Sequence, residues 1–226
     1  MFELFVWSMK ANSSIPCNAE SCAETRRQLL EAAGEVFAES GFRDATVREI
    51  CRRARANVAA VNYHFGNKET LYAEVLRHSH QAAYEKYPPL LGVAENAPPE
   101  KKLRAFVHSL LLRIFEKGPN AWQGKLMARE MIEPTAALDS MIEERIRPIW
   151  SQLRQIIAEI LDCPANDERV QLCASSVVSQ CVFYHHCRPV VSRLFPQQFP
   201  LDAARIEQLA GHITKFSLAA MKSFKR

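Results

Sequence analysis

The sequence predicts an all-α protein, and three observations predict it. Apolar residues recur three and four apart along most of the chain, the spacing of one helix face, and almost nowhere alternate as in a half-buried strand. Glycine is scarce, 7 in 226 residues. A hydrophobic share of 48% excludes a largely disordered chain and is enough to bury a sizeable core.

Each element can be justified in order. Residues 1–21 are expected as a disordered leader. MFELFVWSM is apolar but short, carries Glu3 and lacks both a basic start and a small-residue cleavage site, which argues against a signal peptide, and NSSIPCN is turn-prone. A first helix follows from Leu29, Leu30, Ala33, Val36 and Phe37, and Gly41 supplies a left-handed stop. Thr46 and Glu49, three apart, form a capping box that opens TVREICRRA with Val47, Ile50, Cys51 and Ala54 inward. Asn57 caps a short helix from Val58 to His64. Gly66-Asn67 ends it, and Asn67 starts a longer helix through Leu71, Tyr72, Val75 and Leu76. Two short capped helices joined by three or four residues make a helix-turn-helix.

The proline-rich YPPLLGVAENAPPE is a joint, and Pro98-Pro99-Glu100 starts the next helix. Leu103, Phe106, Val107, Leu110, Leu111, Ile114 and Phe115 give that helix a broad apolar stripe. A helix around Trp122, Leu126, Met127 and Met131 is cut by Pro134, and a long one from Leu138 to Ile160 should kink at Pro148. Two last helices are expected at 167–187 and 202–222. Their faces Val177, Val178, Cys181, Val182 and Ile206, Leu209, Ile213, Phe216 are expected to meet in a four-helix dimer contact.

Charge is placed unevenly. Between Gly41 and Lys68, six bases (Arg43, Arg48, Arg52, Arg53, Arg55, Lys68) face two acids (Asp44, Glu49), which accounts for the whole formal excess of +4. Such a concentration is the electrostatic footprint of a nucleic-acid contact. The 7 cysteines are odd in number and form no framework, which suits reduced thiols in a cytoplasmic protein. No stretch reaches the roughly 18 uninterrupted apolar residues of a membrane span, so no membrane partner is expected.

A helix that reads DNA needs small residues near the groove floor, hydrogen-bonding groups for base edges and donors for phosphates. Val58–His64 offers that mixture. Ala59 and Ala60 permit close approach, Asn62 can bond adenine N6 and N7, and Tyr63 and His64 can reach backbone oxygens, while Phe65 should anchor the helix to the core. The helix start at Thr46 and the Lys68 ammonium are natural phosphate sites.

Residues 25–76, TRRQLLEAAGEVFAESGFRDATVREICRRARANVAAVNYHFGNKETLYAEVL, resemble the DNA-binding domain of the TetR family of transcriptional regulators. REMIEPTAALDSMIEERIRPIW and QCVFYHHCRPVVSRLFP look like the C-terminal domain of its CecR-like (YbiH-type) branch. The resemblance implies a three-helix DNA-binding domain at 22–68, a larger ligand-binding and dimerisation domain at 69–226, and a homodimeric repressor released from a palindromic operator on double-stranded DNA by an unidentified small-molecule effector. By the same resemblance Thr46, Asn57, Tyr63, His64 and Lys68 fall on phosphate-touching positions, and Val58, Ala59 and Asn62 on base-facing ones; Arg48 joins them as a base of the same segment. The family's turn normally carries glycine where this chain has Arg55. Either the turn is altered, or Arg55 tolerates the strain and adds a phosphate contact.

An effector cavity between bundle helices would draw on Phe106, Leu110, Trp122, Met127, Met131, Trp150, Phe183 and His185, with Glu130, Glu133, Arg145 and Arg147 as further polar contacts; plain core is the competing role for the apolar members. The alternative class is a small helical metal-binding protein or enzyme using Cys181, His185, His186, Cys187 and His212. These residues lack a firm ligand pattern and a glycine-rich oxyanion turn, so no metal, cofactor or catalytic residue is expected.

Overall fold

The computed structural model describes residues 19–115 and 121–224, and the regular elements among them are all helical. Helix α1 (Ala19–Asp44) is interrupted at Gly41, whose φ of 79° and ψ of 172° lie outside helical space. Then come α2 (Val47–Ala54), α3 (Val58–Phe65) and α4 (Lys68–Lys86). Beyond the proline-rich joint follow α5 (Pro99–Ile114), α6 (Trp122–Ile132), α7 (Ala137–Met141), a π-helical turn (Ile142–Ile146), α8 (Arg147–Leu161), α9 (Glu168–His186), α10 (Arg188–Leu194) and α11 (Ala203–Lys222). The expected leader overlaps this only at residues 19–21, which are helical; residues 1–18 lie outside the described part.

Side-chain caps set the short helices. Thr46 Oγ1 accepts from the Glu49 amide at 3.2 Å, Asn57 Oδ1 from Ala59 at 3.0 Å and Asn67 Oδ1 from Thr70 at 2.8 Å. Each bond satisfies one of the donors that a helix start leaves open. The Thr46 box is only half made. The Glu49 carboxylate turns to Arg52 and Arg53 instead, which hold it at about 2, well below the usual carboxylate range.

Pro148 breaks the long helix differently from a simple kink. The Arg147 amide reaches back five residues to the Ile142 carbonyl, so a π turn directly precedes the proline and α8 continues from it without a non-helical residue between them.

Two apolar cores result. The first joins Leu29, Val36 and Phe37 of α1 to Ile50, Val61 and Phe65 of α2 and α3. It also takes in Leu71, Tyr72, Val75 and Leu76 of α4, Leu126 of α6 and Met141 of α7, so the core does not divide at residue 68. The second is formed by α5, α8, α9 and α11. Val177, Cys181, Ile206 and Ile213 are buried in it and Leu209 packs against it, so these residues serve the subunit's own bundle rather than a dimer face. Of the apolar set expected at that face, Phe216 points outward, 59% exposed.

Helix α6 packs on α1 and α4 within the first core. The Trp122 ring lies against Gly34, where a Cβ would come within 2.4 Å of it. Arg129 donates to the Glu39 carbonyl at 3.1 Å. The fully buried Glu130 accepts from the Tyr72 hydroxyl at 2.6 Å and, through its other oxygen, from the Thr135 amide at 2.8 Å and hydroxyl at 2.9 Å.

Candidate functional site

Helix α3 is anchored on one side and open on the other. Val61 and Phe65, four apart, are buried in the first core, while Val58, Ala59, Asn62 and Tyr63 share the outward face and Tyr63 is 76% exposed. Ala60, expected beside Ala59 on that face, is half-buried against the core. Eight residues at 3.6 per turn cannot present both alanines equally. His64 is half-buried, its ring 5.0 Å from Tyr63 and 6.0 Å from Phe65, and burial together with nearby Arg26 lowers its pKa. It therefore meets neutral solution as an uncharged imidazole, able to donate one hydrogen bond to an anion but bringing no charge.

The turn before α3 keeps its geometry with arginine in place of glycine. Arg55 has φ 53° and ψ 37°, in the left-handed region. The Arg55 amide bonds to the Arg52 carbonyl at 3.4 Å and the Ala56 amide to the Cys51 carbonyl at 2.9 Å, the paired closure of a Schellman ending. Of the two alternatives open in the sequence, Arg55 accepts the strain. Arg55→Gly is accordingly expected to raise stability by about 0.5–1 kcal/mol, the left-handed penalty less the entropy glycine adds to the unfolded chain. Denaturant titration checks it, and a loss of stability would mean that the side chain is held in place by more than the backbone.

The basic cluster sorts into spent and free cations. Arg53 is held by Glu39 at 2.6 Å and Glu49 at 2.9 Å, and Arg52 by Glu49 at 2.8 Å. Lys68 donates to the Arg43 carbonyl at 3.2 Å and lies 4.8 Å from the centre of the Phe42 ring. Exposed Arg43, Arg48 and Arg55 have no acidic partner among the described residues, and Thr46 keeps its hydroxyl proton free on the surface. Thus exposed hydroxyl and guanidinium donors stand on and around α2, and the outward face of α3 that follows carries an amide, two small side chains and a phenol.

A cavity of about 560 Å³ lies among α4, α5, α6, the π turn, α8 and α9. Phe106, Leu110, Met127, Met131, Trp150 and His185 line it. Trp122 does not, being packed on Gly34 at the first core, and Phe183 is turned outward, 49% exposed. Glu130 faces Tyr72, Glu133 is exposed, and Arg147 pairs with Glu143, so none of these reaches the cavity. Arg145 is drawn to Gln81 at 2.7 Å. Among the lining residues that went unanticipated are His80 of α4 and Arg113 of α5. The signal for Arg113 was its place seven after Phe106 and three after Leu110, on the apolar stripe itself.

Cys181 lies fully buried in the second core, which pushes its thiol up to about 12. A nucleophilic or metal-binding cysteine needs the opposite shift. No group of three metal-ligating side chains was found among the described residues.

Residues 29–75 match the family model for bacterial regulatory proteins of the tetR family, and residues 99–221 match that for the C-terminal domain of the HTH-type transcriptional dual regulator CecR. The second match alone covers more than half of the chain.

The chain belongs to the TetR family of transcriptional regulators.

Its relatives include the HTH-type transcriptional dual regulator CecR of Shigella flexneri, 32% identical over 166 residues, which span 70% of this chain and 74% of that protein. The HTH-type transcriptional repressor NicS of Pseudomonas putida is 34% identical over 89 residues, 39% of this chain and 41% of that one. Among solved structures, the TetR-family transcriptional regulator PfmR of Thermus thermophilus shares the fold with a TM-score of 0.62 at 21% identity, over 85% of this chain and 95% of that one. A transcriptional regulator from a Rhodococcus species aligns with a TM-score of 0.63 at 20% identity, over 86% and 96%. This TetR-family protein is therefore a DNA-binding transcriptional regulator and not an enzyme. Among the described residues no helix is long and apolar enough to cross a membrane.

Proposed function

We propose that this TetR-family regulator is a cytoplasmic, homodimeric repressor that lets go of a near-palindromic operator when a small molecule occupies the 560 Å³ cavity. The observation that carries the reading is α3, pinned by Val61 and Phe65 and capped at Asn57, with Ala59, Asn62 and Tyr63 outward, and preceded in the chain by the uncommitted Arg43, Arg48 and Arg55. In a dimer, two such helices would enter successive major grooves about 34–36 Å apart. The dimer face drawn from this surface is the exposed apolar row of Leu172 and Phe183 on α9, Val190 and Leu194 on α10 and Phe216 on α11.

Effector control requires two states of different half-site spacing and a ligand that prefers one of them. Helix α4 is one route between cavity and reader, with Ser79, His80 and Ala83 on the cavity and Leu71–Leu76 in the first core. The doubly engaged α6 is the other. Its Met127 and Met131 face the cavity, while Trp122, Arg129 and Glu130 grip α1 and α4.

Gel shifts with duplex from upstream of the protein's own gene test the reading. Asn62→Ala should relax preference at one base position. Arg48→Ala should weaken all sequences alike and flatten the salt dependence by about one unit. Equal losses on every sequence for both variants would remove the division between reading and gripping.

A further inference from the structure

The cavity is not uniformly apolar. Its walls are aliphatic, aromatic and thioether side chains, yet Arg113 reaches into it from the last turn of α5. A buried guanidinium normally has a carboxylate beside it, because desolvating a lone cation is costly. Arg113 has none among the described residues: its Nε makes a 3.4 Å contact with the Ser109 carbonyl, and Nη2 is buried without a hydrogen-bond partner. His80, on the same wall, likewise has a buried Nδ1 without a partner.

Burial lowers Arg113 only to about 10, so it stays charged near neutrality, while burial and the neighbouring Arg113 and Arg145 bring His80 down to about 4 and leave it neutral. The cavity therefore presents one fixed positive charge with open donor capacity and a neutral imidazole, enclosed by apolar walls. Cys181, which also acts electrostatically on Arg113, is a neutral thiol rather than an anion, since its burial pushes it up to about 12.

We infer that the cavity takes an amphipathic monoanion, an apolar body carrying a carboxylate or a like acidic head, with the head on Arg113 and the body against Phe106, Met127 and Trp150. The inference rests on the reading of this cavity as the effector site and names the chemistry of what enters it. A carboxylate on a guanidinium forms charge-assisted hydrogen bonds and answers the Arg113 charge, whereas a neutral head leaves that charge unanswered and a cationic head opposes it.

Calorimetric titration of the full chain with decanoate, 1-decanol and decylammonium, one chain length with three heads, separates these cases. The expected order is decanoate first, by about tenfold or more over decanol, with decylammonium weakest. In Arg113→Met, which keeps the volume apolar, the preference for decanoate over decanol should fall to within about twofold. Decanol or decylammonium binding the native protein as tightly as decanoate, no binding of any of the three, or an undiminished acid preference in a folded Arg113→Met, would overturn it. The wild-type series stands even if that variant fails to fold. Decanoate that binds with the expected preference but leaves DNA affinity unchanged would uphold the ligand class and count against effector control.

Discussion

Tyr72→Phe is expected to lower the stability of the folded protein by about 2–4 kcal/mol, a large loss for the removal of one oxygen atom. The hydroxyl donates at 2.6 Å to Glu130, whose side chain is fully buried, so the substitution strands a carboxyl oxygen in the contact between α4 and α6. Burial first, then the Glu130 hydrogen bond and charge, push the phenol well above its ordinary range, which keeps it a donor at every working pH. The ring is not at issue. A phenyl ring at this position would preserve the edge-on contact with Phe37, whose ring centre lies 4.8 Å away, and the tilted one with Phe42 at 5.0 Å. A double-mutant cycle with Glu130→Gln in denaturant titrations isolates the pair. A single-mutant loss below about 0.5 kcal/mol, the level of an ordinary surface change, would show that the bond does not tie α6 to α4.

Gly34→Ala is expected to destabilise by about 1–3 kcal/mol, although alanine is ordinarily the better helix residue. A Cβ at residue 34 would sit 2.4 Å from the Trp122 ring, and a rigid indole wedged between helices cannot yield as the end of a flexible side chain can. The sign depends on that ring. In a Trp122→Ala background the same change should become stabilising by about 0.5–1 kcal/mol, because only the helix preference is left. Thermal unfolding of the four variants reads both signs. A destabilising Gly34→Ala in both backgrounds would place the strain somewhere other than the α1–α6 contact.

The contacts of α6 with α1 and α4 are of a kind that sequence patterns express poorly. Helix starts were legible because Thr46, Asn57 and Asn67 act on amides two or three residues away, and such local bonds are written in residue spacing. The buried stripe of α3 was legible for the same reason, with Val61 and Phe65 four apart. The C-terminal apolar faces were misassigned to a dimer contact because a helix stripe says that it is buried, not by what. Val177 and Ile213 are buried in the same core of one subunit, and the outward Leu172, Phe183 and Phe216 are too sparse to stand out. Glu39 and Glu49 consume Arg53 from positions 14 and four residues away, so a count of charges overstated the free cations. The Tyr72–Glu130 bond joins residues 58 apart, and nothing in either neighbourhood announces it. The Arg113 signal was present but reads as an ordinary helix cation until the structure shows that no acid among the described residues pairs with it.

That α3 reads duplex DNA through its outward face is the central claim, and selection from a pool of randomised duplexes tests it most directly. At low ionic strength the protein should enrich a near-palindromic sequence whose half-sites lie about one helical turn apart, or a multiple of it. Selected pools that bind no better than random duplex would contradict the account.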